Sequence, residues 1–215
     1  MLENLRHYSV YLILLSTIVG VVFWYKLPNW KSRLFLFSIF FSFSIDFLGK
    51  YFTEWTGLLN YGIYNFYILL LFSYYILFFK SVLKSISYRN IANIFLFVFI
   101  IITILNWGFW QNGLERILTY TYAFGVIFIT ILSVFYLLEL FSSNLITNFT
   151  KSIYFWYIIG ILIFHLPFLP FMLSLQWFLI DFNPTVYGII LFFLNLLMST
   201  SFIIGFVWSE KRYNY

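Results

Sequence analysis

Polar side chains set inside apolar stretches are where this chain has material for chemistry. Asp46 is the one acid deep in such a stretch, and Lys50 follows four residues later, on the same face of a helix. The stripe runs back through Ser42 and Ser38 at the same spacing. A carboxylate in hydrocarbon is costly, so it is either paired or functional. As a pair, Asp46 and Lys50 neutralise each other and hold helices together. As a functional group, Asp46 accepts a proton or holds a cationic ligand. Both readings stand on sequence alone. His165 lies just before Pro167 and Pro170, whose rings free the carbonyls of Ile163 and Leu166. Its imidazole bonds a freed carbonyl or a neighbour, or serves as a general base or pH-responsive group. A single His beside a single Asp makes no zinc set, and no cofactor or metal is expected.

Amides supply the remaining candidates. Asn60 and Tyr64 share one helical face, and Tyr61 and Asn65 share the next. They read as a capping Asn with an interfacial aromatic belt, or as a rim that touches a ligand. Asn195, with Ser199 four residues on, is the deepest amide and reads as packing glue. Asn106-Trp107-Gly108-Phe109-Trp110 reads as an interfacial anchor, and Thr121, Gly125 and Ser133 as one close-contact face.

The elements carrying these residues are read from hydropathy. Seven apolar stretches, at about 8–25, 33–51, 61–79, 91–110, 117–141, 152–173 and 184–208, each approach the roughly 17–25 residues that cross a bilayer. Short polar separators make neighbouring helices antiparallel. The first stretch follows a weakly basic start and lacks an Ala-x-Ala site, so it is taken as a helix and not as a cleavable leader. The expected fold is therefore all-α: one polytopic membrane domain, a seven-helix bundle spanning 1–215.

Charge sets its orientation. The first, third and fifth loops and the C-terminus hold Lys26, Lys31, Arg33, Lys80, Lys84, Arg89, Lys151, Lys211 and Arg212, which is nine. The N-terminus and the other loops hold Arg6, Lys50 and Arg116, which is three. The positive-inside rule then places the N-terminus outside and the C-terminus in the cytoplasm. Asp46, Lys50, Asn60, Asn65, Asn106 and His165 all fall toward the outer side.

Composition agrees. Hydrophobic residues make up 63% of the 215, against roughly 45–50% in soluble domains, and charged residues 9%, against roughly 25%. That excludes a soluble enzyme, a disordered chain and a collagen. With no cysteine, disulfides and thiolate chemistry are excluded too. The net charge of +5 follows from topology and does not point to nucleic acid. No internal repeat stands out, because Pro167, Pro170 and Pro184 are all late, which argues against a transporter of inverted repeats.

Several stretches carry a family likeness: Phe43-Ser44-Ile45-Asp46-Phe47-Leu48-Gly49-Lys50, Tyr64-Asn65-Phe66-Tyr67-Ile68-Leu69-Leu70, Leu114-Glu115-Arg116-Ile117-Leu118, Phe155-Trp156-Tyr157-Ile158-Ile159-Gly160-Ile161-Leu162 and Phe193-Leu194-Asn195-Leu196-Leu197. In these the chain resembles small seven-helix membrane proteins of Bacteroidota that look like detached sensor modules, in some genomes beside or fused to a histidine kinase. Leu71 stands where such proteins often carry an acid. Length and Asp46 also resemble the lysoplasmalogenase-like hydrolases, but their Lys-Pro start and Gly-His pair are absent; Phe164 precedes His165.

The leading reading is a sensory or signalling protein of the bacterial inner membrane that acts by binding and conformational change, and enzymatic activity stays open as an alternative. It would bind a small or lipidic ligand from outside through Asp46, Lys50, Asn60, Asn65, His165 and Asn195. It would signal to a partner such as a histidine kinase through Lys80 to Arg89 or Glu210-Lys211-Arg212, and oligomers are compatible with it. The alternatives are an intramembrane lipid hydrolase with Asp46 and His165 as acid and base, or a pore or effector subunit.

Overall fold

Each apolar stretch folds as a helix. The computed structural model describes residues 5–143, 146–177 and 184–214; the side chains of 5–7, 50, 146, 175–177 and 184–185 lie outside that description. Among the described residues there are seven long α-helices and no strand. They are α1 Leu5–Val22, α2 Trp30–Thr56, α3 Tyr61–Val82, α4 Ile86–Leu105, α5 Thr119–Phe141, α6 Ile153–Trp177 and α7 Pro184–Trp208. Helices α2 to α7 contain six segments long and apolar enough to cross a membrane. The chain thus fits a helical membrane bundle. The described apolar part of α1, Tyr8–Val22, is shorter than these six.

Helix ends differ from the sequence expectation where backbone chemistry, and not hydropathy, decides. α1 stops at Val22 instead of 25, and Trp24–Lys26 form a tight 3₁₀ turn. Leu27 then adopts an extended conformation (φ −66°, ψ 119°), as the residue before Pro28 must. α2 runs from Trp30 to Thr56, well past the expected 33–51. Lys50 and Glu54 are polar but do not break a helix. It ends at Gly57, which takes φ 70°, open to glycine without a Cβ penalty, and donates its N–H to Thr53 O at 3.0 Å. α4 starts at Ile86, five residues before the expected 91, because Ser87, Arg89 and Asn90 form a polar first turn. It passes into a wider π-helical turn, Asn106–Trp110. α6 runs on through Pro167 and Pro170.

The helices form two compact units. Unit 1 comprises Met1–Phe43, Leu140–Phe168 and Leu179–Tyr215. Within it α1 packs along α7. Its centre is aromatic: Phe35 of α2 stacks on Tyr157 of α6 at 3.8 Å, and Phe202 of α7 meets the Phe35 ring edge-on at 5.3 Å. Glycines let the helices close. A Cβ on Gly205 would lie 2.8 Å from the Trp156 Cβ. Small residues at such crossings give the dispersion packing that holds helices together in lipid, where the hydrophobic effect between them is weak.

Unit 2 comprises Ser44–Glu139 and Leu169–Phe178. α3 packs on α4, and Phe72 is the hub. Its ring meets Tyr122 edge-on at 5.3 Å and Phe99 at 6.0 Å. A Cβ on Gly125 of α5 would sit 2.6 Å from the Phe72 ring, so the expected close-contact face of α5 lies against α3. Phe95 stacks on Phe128 at 4.5 Å and Tyr88 on Phe135 at 4.3 Å, joining α4 to α5. At one α3–α4 turn, Glu139 of α5 accepts the backbone N–H of Lys84 and of Ser85, each at 2.8 Å.

Candidate functional site

The richest polar assembly lies in unit 2, where the α2–α3 corner and the α4–α5 turn meet. Asn65 is fully buried one turn inside α3. Its Nδ2 donates to Gly113 O at 2.7 Å and Arg116 O at 2.8 Å, and its Oδ1 accepts the Leu118 N–H at 2.9 Å. One amide thereby fixes the path of the α4–α5 turn. Asn60 precedes α3 without capping it by its side chain; instead Nδ2 donates to Gly49 O of α2 at 2.8 Å. A Cβ on Gly49 would lie 2.5 Å from the Tyr64 hydroxyl, so glycine there lets α2 and α3 approach.

Beside this bracket, four side chains form a second network. Asn106 Nδ2 donates to Gln111 Oε1 and to Thr121 Oγ1, both at 3.0 Å. Gln111 Nε2 donates to Thr119 Oγ1 at 3.0 Å, and Gln111 Oε1 also receives the Tyr120 N–H at 3.4 Å. Asn106, Gln111, Thr119 and Thr121 are all buried. Asn106 Oδ1 accepts no hydrogen bond and is closed to solvent. An acceptor left in that state costs about 1–3 kcal/mol. It sits at the first residue of the π-helical turn, a geometry that recurs at functional sites. Gly108, Phe109 and Trp110 of that turn are exposed, as are Glu115 and Arg116 on the loop beyond.

This network is neutral. Its side chains are two amides and two hydroxyls, and the unbonded Asn106 Oδ1 can accept from a ligand that presents a donor. The sequence reads Asn106 as part of an interfacial anchor, and Gln111 falls outside the apolar stretches. The signal was present in the pattern of Asn106, Gln111, Thr119 and Thr121, four hydrogen-bonding side chains around one short turn.

The other candidates fall elsewhere. Asp46 belongs to unit 2 and is half-buried on α2. The Lys50 side chain lies outside the described residues, so the expected Asp46–Lys50 pair is not described. Ser38 and Ser42 of the same stripe bond back to Phe35 O at 2.7 Å and Ser38 O at 2.9 Å, within their own helix. His165 and Asn195 belong to unit 1 and are buried. The His165 ring lies edge-on to Phe164 at 5.0 Å. Asn195 donates to Leu191 O of its own helix at 2.9 Å, and Ser199 Oγ, one turn on, is buried without a bond. The structure therefore brings Asn60 and Asn65 to one rim, adds Asn106 and Gln111 to it, and assigns His165 and Asn195 to the other unit. Among the described residues no group of three or more His, Asp or Glu is placed to hold a metal ion.

Compared with known proteins, the chain matches no family model, no curated protein and no solved structure.

Proposed function

We propose that this is a sensory protein of the bacterial inner membrane that binds a small or lipidic ligand at the amide-rich rim of unit 2. The buried, unbonded Asn106 Oδ1 carries this reading. The closed state keeps an acceptor unsatisfied, so a ligand bearing a hydroxyl, amide or ammonium donor recovers the lost hydrogen bond when the α4–α5 turn admits it. A ligand binding one state better by about 1–3 kcal/mol shifts a two-state equilibrium about 5- to 150-fold. The neutral network favours binding over catalysis.

In this reading all seven helices span, with the N-terminus outside and the C-terminus cytoplasmic. α1 supports the count: its 18 residues make about 27 Å of helix at 1.5 Å per residue, close to the roughly 30 Å hydrocarbon core. The nine-to-three distribution of Lys and Arg supports the orientation, which places the amide rim outward. Output passes to a partner such as a histidine kinase at the basic side.

The test is mass spectrometry of compounds retained by the purified protein from a bacterial lipid extract, with Asn106→Leu alongside and its fold checked by thermal unfolding. A compound held by the wild type and lost by a folded Asn106→Leu supports the reading. No retained compound, or one held equally by both, refutes it. The chain has no cysteine, so single cysteines placed at Gly108 and at Lys211 give a clean labelling test of orientation.

A further inference from the structure

The basic rim of unit 1 is a second, separate surface. Three segments of chain converge there through bonds within the unit. Lys26 Nζ donates to Val207 O at the end of α7. The Tyr154 hydroxyl of α6 donates to Asn29 Oδ1 at 2.8 Å. Lys151 pairs with Glu210 at 3.0 Å and sits over the Trp208 ring at 4.2 Å. Residues 22–33, 146–153 and 208–214 thus form one rim, holding six cations and one acid, Glu210. Glu210 is already held by Lys151 and by Arg212, the latter at 2.8 Å. The rim keeps a strong positive excess.

Its cations are not equivalent. Lys26, Lys151 and Arg212 are engaged within the protein. Arg33 is exposed, and its guanidinium lies over the Trp24 ring at 5.1 Å. A guanidinium held at a ring in this way keeps its planar fork, which matches a phosphate with two parallel hydrogen bonds. Trp24, Trp30 and Trp208 are all largely exposed on the same rim. Exposed tryptophan at the end of an apolar helix settles at headgroup level, which brings Arg33 to the depth of lipid phosphates.

We propose that the basic rim of unit 1 binds the phosphate headgroup of an anionic phospholipid, with Arg33, stacked on Trp24, as the principal contact. Charge complementarity selects an anion, and the surrounding tryptophans select one anchored in a bilayer over a free ion. This site is independent of the ligand proposed for unit 2 and stands or falls alone.

The probe is phosphatidylglycerol, with phosphatidylcholine as the neutral comparison. Delipidated protein in detergent is given equal amounts of the two, and retained lipid is counted by native mass spectrometry. The wild type is expected to retain phosphatidylglycerol in preference. Arg33→Gln is expected to lower that retention about fivefold, the effect of one cation near an anionic surface. Arg89→Gln makes the same charge change at an exposed residue of unit 2 and is expected to leave it unchanged. Equal retention of both lipids overturns the proposal. So does an equal loss in Arg33→Gln and Arg89→Gln, which makes net charge the cause. Displacement of the lipid by millimolar inorganic phosphate overturns the choice of a bilayer-anchored ligand. Arg33 is exposed, and an unchanged unfolding temperature of Arg33→Gln verifies its fold.

Discussion

Replacing Asn65 by Leu removes three hydrogen bonds at once, and the structure says what each was holding. Gly113 and Leu118 are buried, so the Gly113 carbonyl and the Leu118 N–H lose their partner with no water at hand. Arg116 is exposed, and its carbonyl can turn to solvent. Two buried backbone groups left unsatisfied cost about 1–3 kcal/mol each. The leucine side chain returns roughly 1 kcal/mol by apolar burial. The net is about 1–5 kcal/mol, concentrated in residues 111–118, because that turn has no helix of its own to hold it. Amide exchange at Leu118 reads the effect directly. At about 1.4 kcal/mol per tenfold, protection falls by about fivefold to about 4,000-fold. Trypsin cleavage after exposed Arg116 rises in parallel. Wild-type protection at Leu118 in Asn65→Leu would refute the claim that this amide fixes the turn.

Three further outcomes are expected. Gly125→Ala puts a methyl group 2.6 Å from the Phe72 ring and forces α3 and α5 apart, lowering stability by about 1–3 kcal/mol in detergent unfolding. Glu139→Ala leaves the N–H groups of Lys84 and Ser85 without their carboxylate, at a cost of about 1–3 kcal/mol, and raises exchange at those two amides specifically. The third concerns pH. The Glu210 carboxyl is held below its usual range, first by its hydrogen bond from Lys151 and further by the charge of Arg212. A carboxyl whose pKa is lower folded than unfolded stabilises fully above the unfolded value, and that contribution fades as pH falls through the folded one. Exchange at the Glu210 amide, which donates to Lys151 O, corrected for its intrinsic rate, therefore accelerates on acidification below the ordinary carboxylate range. Glu210→Gln abolishes that pH dependence.

Hydropathy made the helices legible, and α7 runs over the expected 184–208. It misplaced the ends of α2 and α4 because it measures lipid preference, whereas a helix ends where the backbone requires it. Glu54 lies beyond the apolar stretch of 33–51, yet the helix continues to Thr56 and stops at Gly57. Asn65 was visible as a polar residue on α3, but its partners lie 48 to 53 residues away, and no periodicity encodes that distance. Asn60 follows the composition of a helix cap and serves another helix, because Gly49 brings the α2 backbone within reach. The π-helical turn at Asn106 left no mark in the apolar pattern, since widening one turn changes no residue type. Asn214 is a further case. It sits far along the chain from α6, yet its Oδ1 accepts the Ser152 hydroxyl at 3.1 Å and the Ile153 N–H at 2.7 Å, capping that helix.

The central claim is that a ligand enters the rim of unit 2 and satisfies Asn106. Hydrogen exchange of the wild-type protein, measured before and after addition of a bacterial lipid extract, tests it most directly. The account predicts that residues 106–121 gain protection on addition of the extract while the α6–α7 contact at Gly205 does not change. Unchanged exchange across 106–121, or a uniform change across all helices, would contradict it.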